Sequence, residues 1–205
     1  MRVPLLIGLC VVMAASAVFA GGTPNTGMGA KQMVFEFSGL SMLGLSPYAG
    51  GFGFRYFYAD DTAIRGSLNF AYAKDEMTDA ADNTSEESFT KVGATLVWEK
   101  YMATIASVAP YMGIGVGYYY NKWEEPWYGT FADTEKEETT ANDLMIALVG
   151  GFQWYFTEAI SLGGEYRLAY MYSTGETKMG GEKVSDNSSS AFGFNAASVF
   201  FGVHF

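Results

Sequence analysis

The chain has one cysteine, one histidine and five prolines in 205 residues. Cys10, alone, excludes an internal disulfide framework and a Cys-based metal site. His204, alone, confines the commonest general base to the penultimate position, where a polar rim residue is expected. Twelve Lys and Arg stand against 22 Asp and Glu, a formal charge of −10, so no basic nucleic-acid surface is present. Past residue 20 no stretch approaches the roughly 20 apolar residues a spanning helix needs. Gly113-x-Gly115-x-Gly117 steps by two, as lumen positions of a strand do, and is not a phosphate-binding turn.

What is present begins with an address. Arg2 supplies a positive n-region, Leu5 to Val12 an apolar run, and Ala14 to Ala20 a small-residue segment before a cut after Ala20. Residues 1–20 read as a secretory signal peptide and 21–205 as one mature domain. Cys10 leaves with the signal, so the mature chain holds no cysteine.

The mature part is rich in aromatics (17%) and in glycine (25 residues) and alternates with period two. Eight strands are predicted, at 31–39, 47–58, 62–73, 88–100, 108–121, 142–156, 159–173 and 190–205. Strand six gives an outward face of Leu144, Ile146, Leu148, Phe152, Trp154 and Phe156; strand seven gives Ile160, Leu162, Tyr166, Leu168, Tyr170 and Tyr172. These faces carry no charge, which suits lipid and not water. The last strand alternates likewise, with Ala197, Val199, Phe201, Val203 and Phe205 on one face and Ala196, Ser198, Phe200, Gly202 and His204 on the other. Connections alternate short (59–61, 101–107, 157–158) and long (74–87, 122–141, 174–189); the segment 40–46 is shorter and apolar.

The opposite faces carry Glu36, Arg55, Arg65, Asn69, Lys91, Glu99, Gln153, Glu165 and Arg167, with four bases against three acids. In an eight-strand barrel these fill the interior and must pair. Glu165 and Arg167, two apart on one strand, are expected to anchor that ion-pair network. The acidity lies elsewhere: residues 74–87 carry six acids and one Lys, 122–143 seven acids and two Lys, and 174–189 three acids and two Lys. No metal-loop spacing appears in 133–138, so no metal site and no cofactor is expected. Trp123, Trp127 and Tyr128 beside these acids offer an adhesive patch.

A chain closing on Val199, Phe201, Val203 and Phe205 after seven such strands resembles the small outer-membrane β-barrel proteins, the family of outer-membrane protein X, the barrel of outer-membrane protein A and the opacity-like surface proteins. The resemblance covers about residues 31–205 and rests on pattern. It implies an all-β, eight-stranded, antiparallel up-and-down transmembrane barrel in the bacterial outer membrane. It also implies that the terminal Phe pattern is read by the barrel assembly machinery. Expected partners are outer-membrane lipid and lipopolysaccharide, plus an extracellular ligand of loops 74–87, 122–141 and 174–189; a monomer is expected. The expected role is non-enzymatic, in envelope structure or surface interaction, around a plugged polar core. A narrow small-solute channel is the alternative, and a lipid-A-modifying enzyme a weaker one.

Overall fold

A computed structural model describes residues 22–38, 49–78, 84–126, 136–194 and 197–205. The expected signal peptide, the segment 40–46, Trp127, Tyr128 and Ala196 lie outside the described residues. Every regular element among the described residues is a strand: β1 (Lys31–Ser38), β2 (Ala49–Ala59), β3 (Thr62–Thr78), β4 (Thr84–Tyr101), β5 (Val108–Pro126), β6 (Lys136–Tyr155), β7 (Ile160–Met179), β8 (Glu182–Phe194) and β9 (Ser198–His204). Each neighbour pair is antiparallel from β1 to β7, and β9 closes the ring by pairing with both β7 and β1. Closure satisfies every backbone group at membrane depth, which is the condition a sheet must meet to cross lipid.

The eighth position is shared. β9 holds its lower part against β7 (Glu165↔Ser198) and β8 its upper part (Leu168↔Phe194), with the register displaced by one residue between them. The continuous last strand expected over 190–205 is therefore corrected to two strands. Phe192 and Phe194 face outward although Val199, Phe201 and Val203 have the opposite parity, because a one-residue shift exchanges the faces.

Strand lengths are a second correction. The polar segments expected as loops 74–87, 122–141 and 174–189 are largely strand, since β3–β4, β5–β6 and β7–β8 continue as paired ribbons past the apolar zone. The β7–β8 ribbon ends in Gly180-Gly181, both at positive φ (56° and 86°), the conformation of a two-residue hairpin turn. Among the described residues β1 reaches Ser38 and β2 starts at Ala49, and the three ribbons form six strands of crown above an eight-stave barrel.

At the opposite end lie the short turns. Residues 22–30 cross that mouth: Gly22 N–H donates to Tyr155 O (3.1 Å), Thr26 Oγ1 to Asp61 Oδ1 (2.9 Å), and Gly29 N–H to Phe57 O (2.7 Å). A Cβ on Gly22 would meet the Thr157 backbone at 2.2 Å, so glycine lets this strap lie flat on the β6–β7 turn.

Outside, the even positions of β2 to β7 carry exposed Phe, Leu, Ile, Val, Met, Trp and Tyr. At its borders Trp98 Nε1 donates to Tyr58 Oη (2.7 Å) and Tyr118 Oη to Asn142 Oδ1 (2.6 Å). Such residues anchor the two interfaces of an outer-membrane barrel.

Candidate functional site

Five strands, β1, β2, β3, β4 and β7, bring six charges into one chain inside the barrel. Arg55 Nε approaches Glu99 Oε2 at 2.6 Å, and Arg65 Nε approaches Glu99 Oε1 at 2.8 Å. Arg65 then bonds Glu165 through Nη2. Glu165 also takes Arg167 Nε at 2.6 Å, and Arg167 Nη2 reaches Glu36 Oε1 at 2.8 Å. The order Arg55–Glu99–Arg65–Glu165–Arg167–Glu36 alternates in sign and sums to zero. All six side chains are buried. Charges of this kind survive burial only when paired and hydrogen-bonded.

Lys91 stands apart from that chain. It is half-buried nearer the crown, with its ammonium 4.5 Å from the ring centre of Tyr119. Asn121 Nδ2 donates to Asp143 Oδ2 (2.7 Å) in the same upper region. Of the seven charged residues named from the sequence, six are joined and Lys91 is not.

Sequence reasoning placed Gln153 on the lumen face but missed the other neutral groups that complete the plug. Tyr111 Oη donates to Glu165 Oε2 (2.6 Å). The Phe200 ring lies under both guanidinium carbons, at 5.3 Å from Arg55 and 5.7 Å from Arg65. Arg55 also bonds Gln32 and Gln153. Phe57, Tyr101 and Tyr155 close the floor toward the strap; Tyr101 and Tyr111 are 5.1 Å apart at the ring centres. The signal was available in the lumen glycines: Gly163 faces Phe200, Gly151 faces Tyr111 and Gly93 faces Tyr119 across strand pairs. A Cβ at each would fall 2.0–2.6 Å from the opposing ring.

His204 differs from the polar rim histidine expected. It is buried at the short-turn end, with Nε2 2.9 Å from Ser161 Oγ. Gln32 and Gln153 amides donate to that same hydroxyl (3.1 and 2.7 Å), so the hydroxyl hydrogen is directed to the imidazole. Both lone pairs of Ser161 are occupied by donors, an arrangement suited to packing and not to nucleophilic attack.

The crown places its charges by face. Outward, lysines are clasped by acids: Lys74 by Glu76 and Glu86 (both 3.0 Å), Lys122 by Glu124 and Glu138 (2.8 and 2.9 Å), and Lys183 by Asp186 (2.7 Å). Hydrogen bonds to Glu76 and then Glu86 raise the Lys74 ammonium to about 12. The hydrogen bond from Lys178 holds the Glu176 carboxyl below the usual carboxylate range. On the lumen-side face the acids oppose one another, Asp75 across from Glu87 and Glu125 across from Glu137. Trp123 packs on Phe89 (5.2 Å between ring centres). Among the described residues no group of three or more His, Cys, Asp or Glu is arranged to hold a metal ion.

A closed sheet with an apolar outer belt, aromatic borders and a charge-neutral interior defines a transmembrane β-barrel. The chain belongs to the family described as outer membrane protein beta-barrel domain, whose model matches residues 4–205. Its place is the bacterial outer membrane. Among solved structures it is similar to a major outer membrane protein from Thermus thermophilus (15% identity, TM-score 0.52, 86% of this chain and 99% of that one). It is also similar to the N-terminal β-barrel domain of Pseudomonas aeruginosa OprF (13%, 0.42, 87% and 99%). A third similar structure is Ail, the attachment invasion locus protein of Yersinia pestis (15%, 0.44, 87% and 99%). No curated protein sequence matches the chain.

Proposed function

We propose that the protein is a non-enzymatic outer-membrane barrel with a plugged core, acting in envelope structure or surface interaction through its acidic crown. The observation that carries this reading is the neutral chain of three arginines and three glutamates across the lumen, sealed on its short-turn side by Phe57, Tyr101 and Tyr155. An eight-strand barrel leaves an interior that side chains fill. The non-enzymatic part is supported by His204, which is spent on an internal hydrogen bond at the end opposite the crown. In this reading short turns face the periplasm and ribbons the exterior, as in outer-membrane barrels generally. The outward clasped lysines lie where lipopolysaccharide headgroups meet the protein. The face of Val199, Phe201, Val203 and Phe205 serves the assembly machinery, and residues 1–20 are removed on export.

Single-channel recording on the refolded protein in a planar bilayer tests the plug, with Arg167→Ala alongside. Silent membranes containing folded protein are expected for the parent chain. Discrete steps whose size changes in the variant make the protein a channel and overturn the reading. Shortening all three ribbons tests the crown: unchanged envelope integrity and unchanged cell-surface binding would remove its assigned role.

A further inference from the structure

Two lysines differ from those of the crown. Lys74, Lys122, Lys178 and Lys183 each meet a carboxylate. Lys31 and Lys100 stand outward and exposed at the short-turn border, and neither has a carboxylate partner among the described residues. Lys100 Nζ meets only neutral oxygens, Thr62 Oγ1 at 3.2 Å and Asp60 O at 3.4 Å. An ammonium carries three donors, so one N–H and the full charge are left over. The acids of the adjoining turn are engaged by the strap: Met28 N–H donates to Asp60 Oδ1 (3.0 Å) and Thr26 Oγ1 to Asp61 Oδ1 (2.9 Å). Tyr58 adds a second donor, because its Oη accepts from Trp98 Nε1 and keeps its own hydrogen to give. Thr62 and Lys100 are direct partners, and Tyr58 lies at the adjoining end of β2. Lys31, on β1 opposite Tyr56, adds to the positive field.

A groove continues from this border into the apolar belt. Register sets Gly66 between Phe54 and Leu96, and sets Ala94 beside Leu68. These are the smallest outward residues of β3 and β4, and they are diagonal neighbours. A Cβ on Gly66 would meet nothing within 4 Å. The dent they leave is about 410 Å³, walled by Met33, Phe52, Phe54 and Leu68. Gly66 lies four residues along β3 from Thr62, about 13 Å of strand. That is one leaflet's depth in an apolar belt about 25 Å tall. A second copy is a poor occupant, since a two-fold axis beside this groove sets Lys100 near its own counterpart.

We propose that Lys100, Tyr58 and the groove at Gly66 and Ala94 bind one anionic glycerophospholipid, with its phosphate at the border and an acyl chain in the groove. Charge complementarity selects the headgroup, and the dent holds the chain. With short turns toward the periplasm, an orientation this inference takes from the reading above, the lipid comes from the periplasmic leaflet.

The test is native mass spectrometry of the refolded protein in detergent micelles. The probes are phosphatidylglycerol and phosphatidylcholine with identical acyl chains; both carry the phosphate, but choline cancels its charge. The protein is expected to retain one phosphatidylglycerol at least fivefold more than phosphatidylcholine. Lys100→Gln removes the cation, and Gly66→Leu and Ala94→Leu each fill the groove. Each of the three is expected to lower phosphatidylglycerol retention at least fivefold while the barrel keeps its folded electrophoretic mobility. Lys74→Gln, whose ammonium is already clasped, is expected to change nothing. Equal retention of the two lipids means an unselective lipid annulus and overturns the site. A phosphatidylglycerol preference that survives Lys100→Gln overturns it too. Loss with Lys100→Gln but with neither leucine variant means surface charge without a groove, and loss with Lys74→Gln means bulk charge; both overturn it. Conductance through the plug and the ribbon-shortening result involve none of these residues, so the two readings fail separately.

Discussion

Glu165 sits between two guanidinium groups and a tyrosine hydroxyl, so its removal leaves Arg65 and Arg167 buried with half their compensation gone. Glu165→Ala is expected to destabilise the barrel by about 3–5 kcal/mol, the range for breaking a buried pair from one side. Urea unfolding in micelles checks it. Lys91→Met is the contrast: the ammonium lies on a ring face, and the expected loss is no more than about 1 kcal/mol. Gly163→Ala probes fit in place of charge. Its Cβ would fall 2.0 Å from Phe200 Cζ, and the ring cannot retreat without leaving both arginines. Overpacking of this kind costs about 1–3 kcal/mol, and the same unfolding assay reads it. At this scale the charged partners were legible because charge in an otherwise apolar alternation has one place to go. Phe200 was not, since a phenylalanine on the lumen face of the final strand looks like a break in polarity. It is explained only by the glycine opposite it, and strand register is what makes them opposite.

The outward faces of β2, β3, β5, β6 and β7 were readable from alternation, because lipid on one side selects apolar residues at every second position. The strand ends were not. Alternation of hydrophobicity stops at the membrane border, whereas backbone pairing continues into the crown with polar residues on both faces. The trace left in the sequence is a second alternation, of charge: Lys74-x-Glu76, Lys122-x-Glu124 and Glu176-x-Lys178 each place a pair on one face. These pairs give the crown a pH window. Glu176 has its pKa lowered by the Lys178 hydrogen bond, so its contribution is complete above the ordinary carboxylate value and fades as pH falls through the lowered one. Lys74 has its pKa raised, so its contribution is complete below the ordinary lysine value and fades as pH rises through about 12. Amide protection factors (exchange relative to the unprotected rate at each pH) in the β7–β8 and β3–β4 ribbons are expected to stay highest between those limits and to fall first in acid in β7–β8. The β4–β5 turn offers a simpler change. Ala106 is held at φ 54°, where a Cβ is strained, and Ala106→Gly is expected to raise stability by up to about 1 kcal/mol.

The whole molecule is sealed twice on its short-turn side, once by the aromatic floor and once by the strap of residues 22–30. The only histidine is buried at that end, its ring 4.9 Å from the Tyr155 ring of the floor. Diethyl pyrocarbonate is therefore a reporter for a single position. Modification of His204 is expected to be slow in the intact protein and several-fold faster when residues 22–28 are deleted, while the planar-bilayer recording stays silent because the ion-pair chain is intact. Equal rates with and without the strap would mean that the floor alone excludes solvent.

The seam of the ring joins the two ends of the chain, β1 on one side and β9 on the other, with Phe35 against Phe201 across it. The consequence is one of timing. A chain made from its N-terminus produces its first strand long before that strand's second neighbour exists, and contacts between distant parts of a sequence are the slow ones to form. Until β9 arrives, β1 has an unsatisfied border, and so does every partial sheet built outward from it. The barrel thus has no stable half: it shuts in one final act, and the strap, which spans from β1's side to the β6–β7 turn, can only fasten after that act is done.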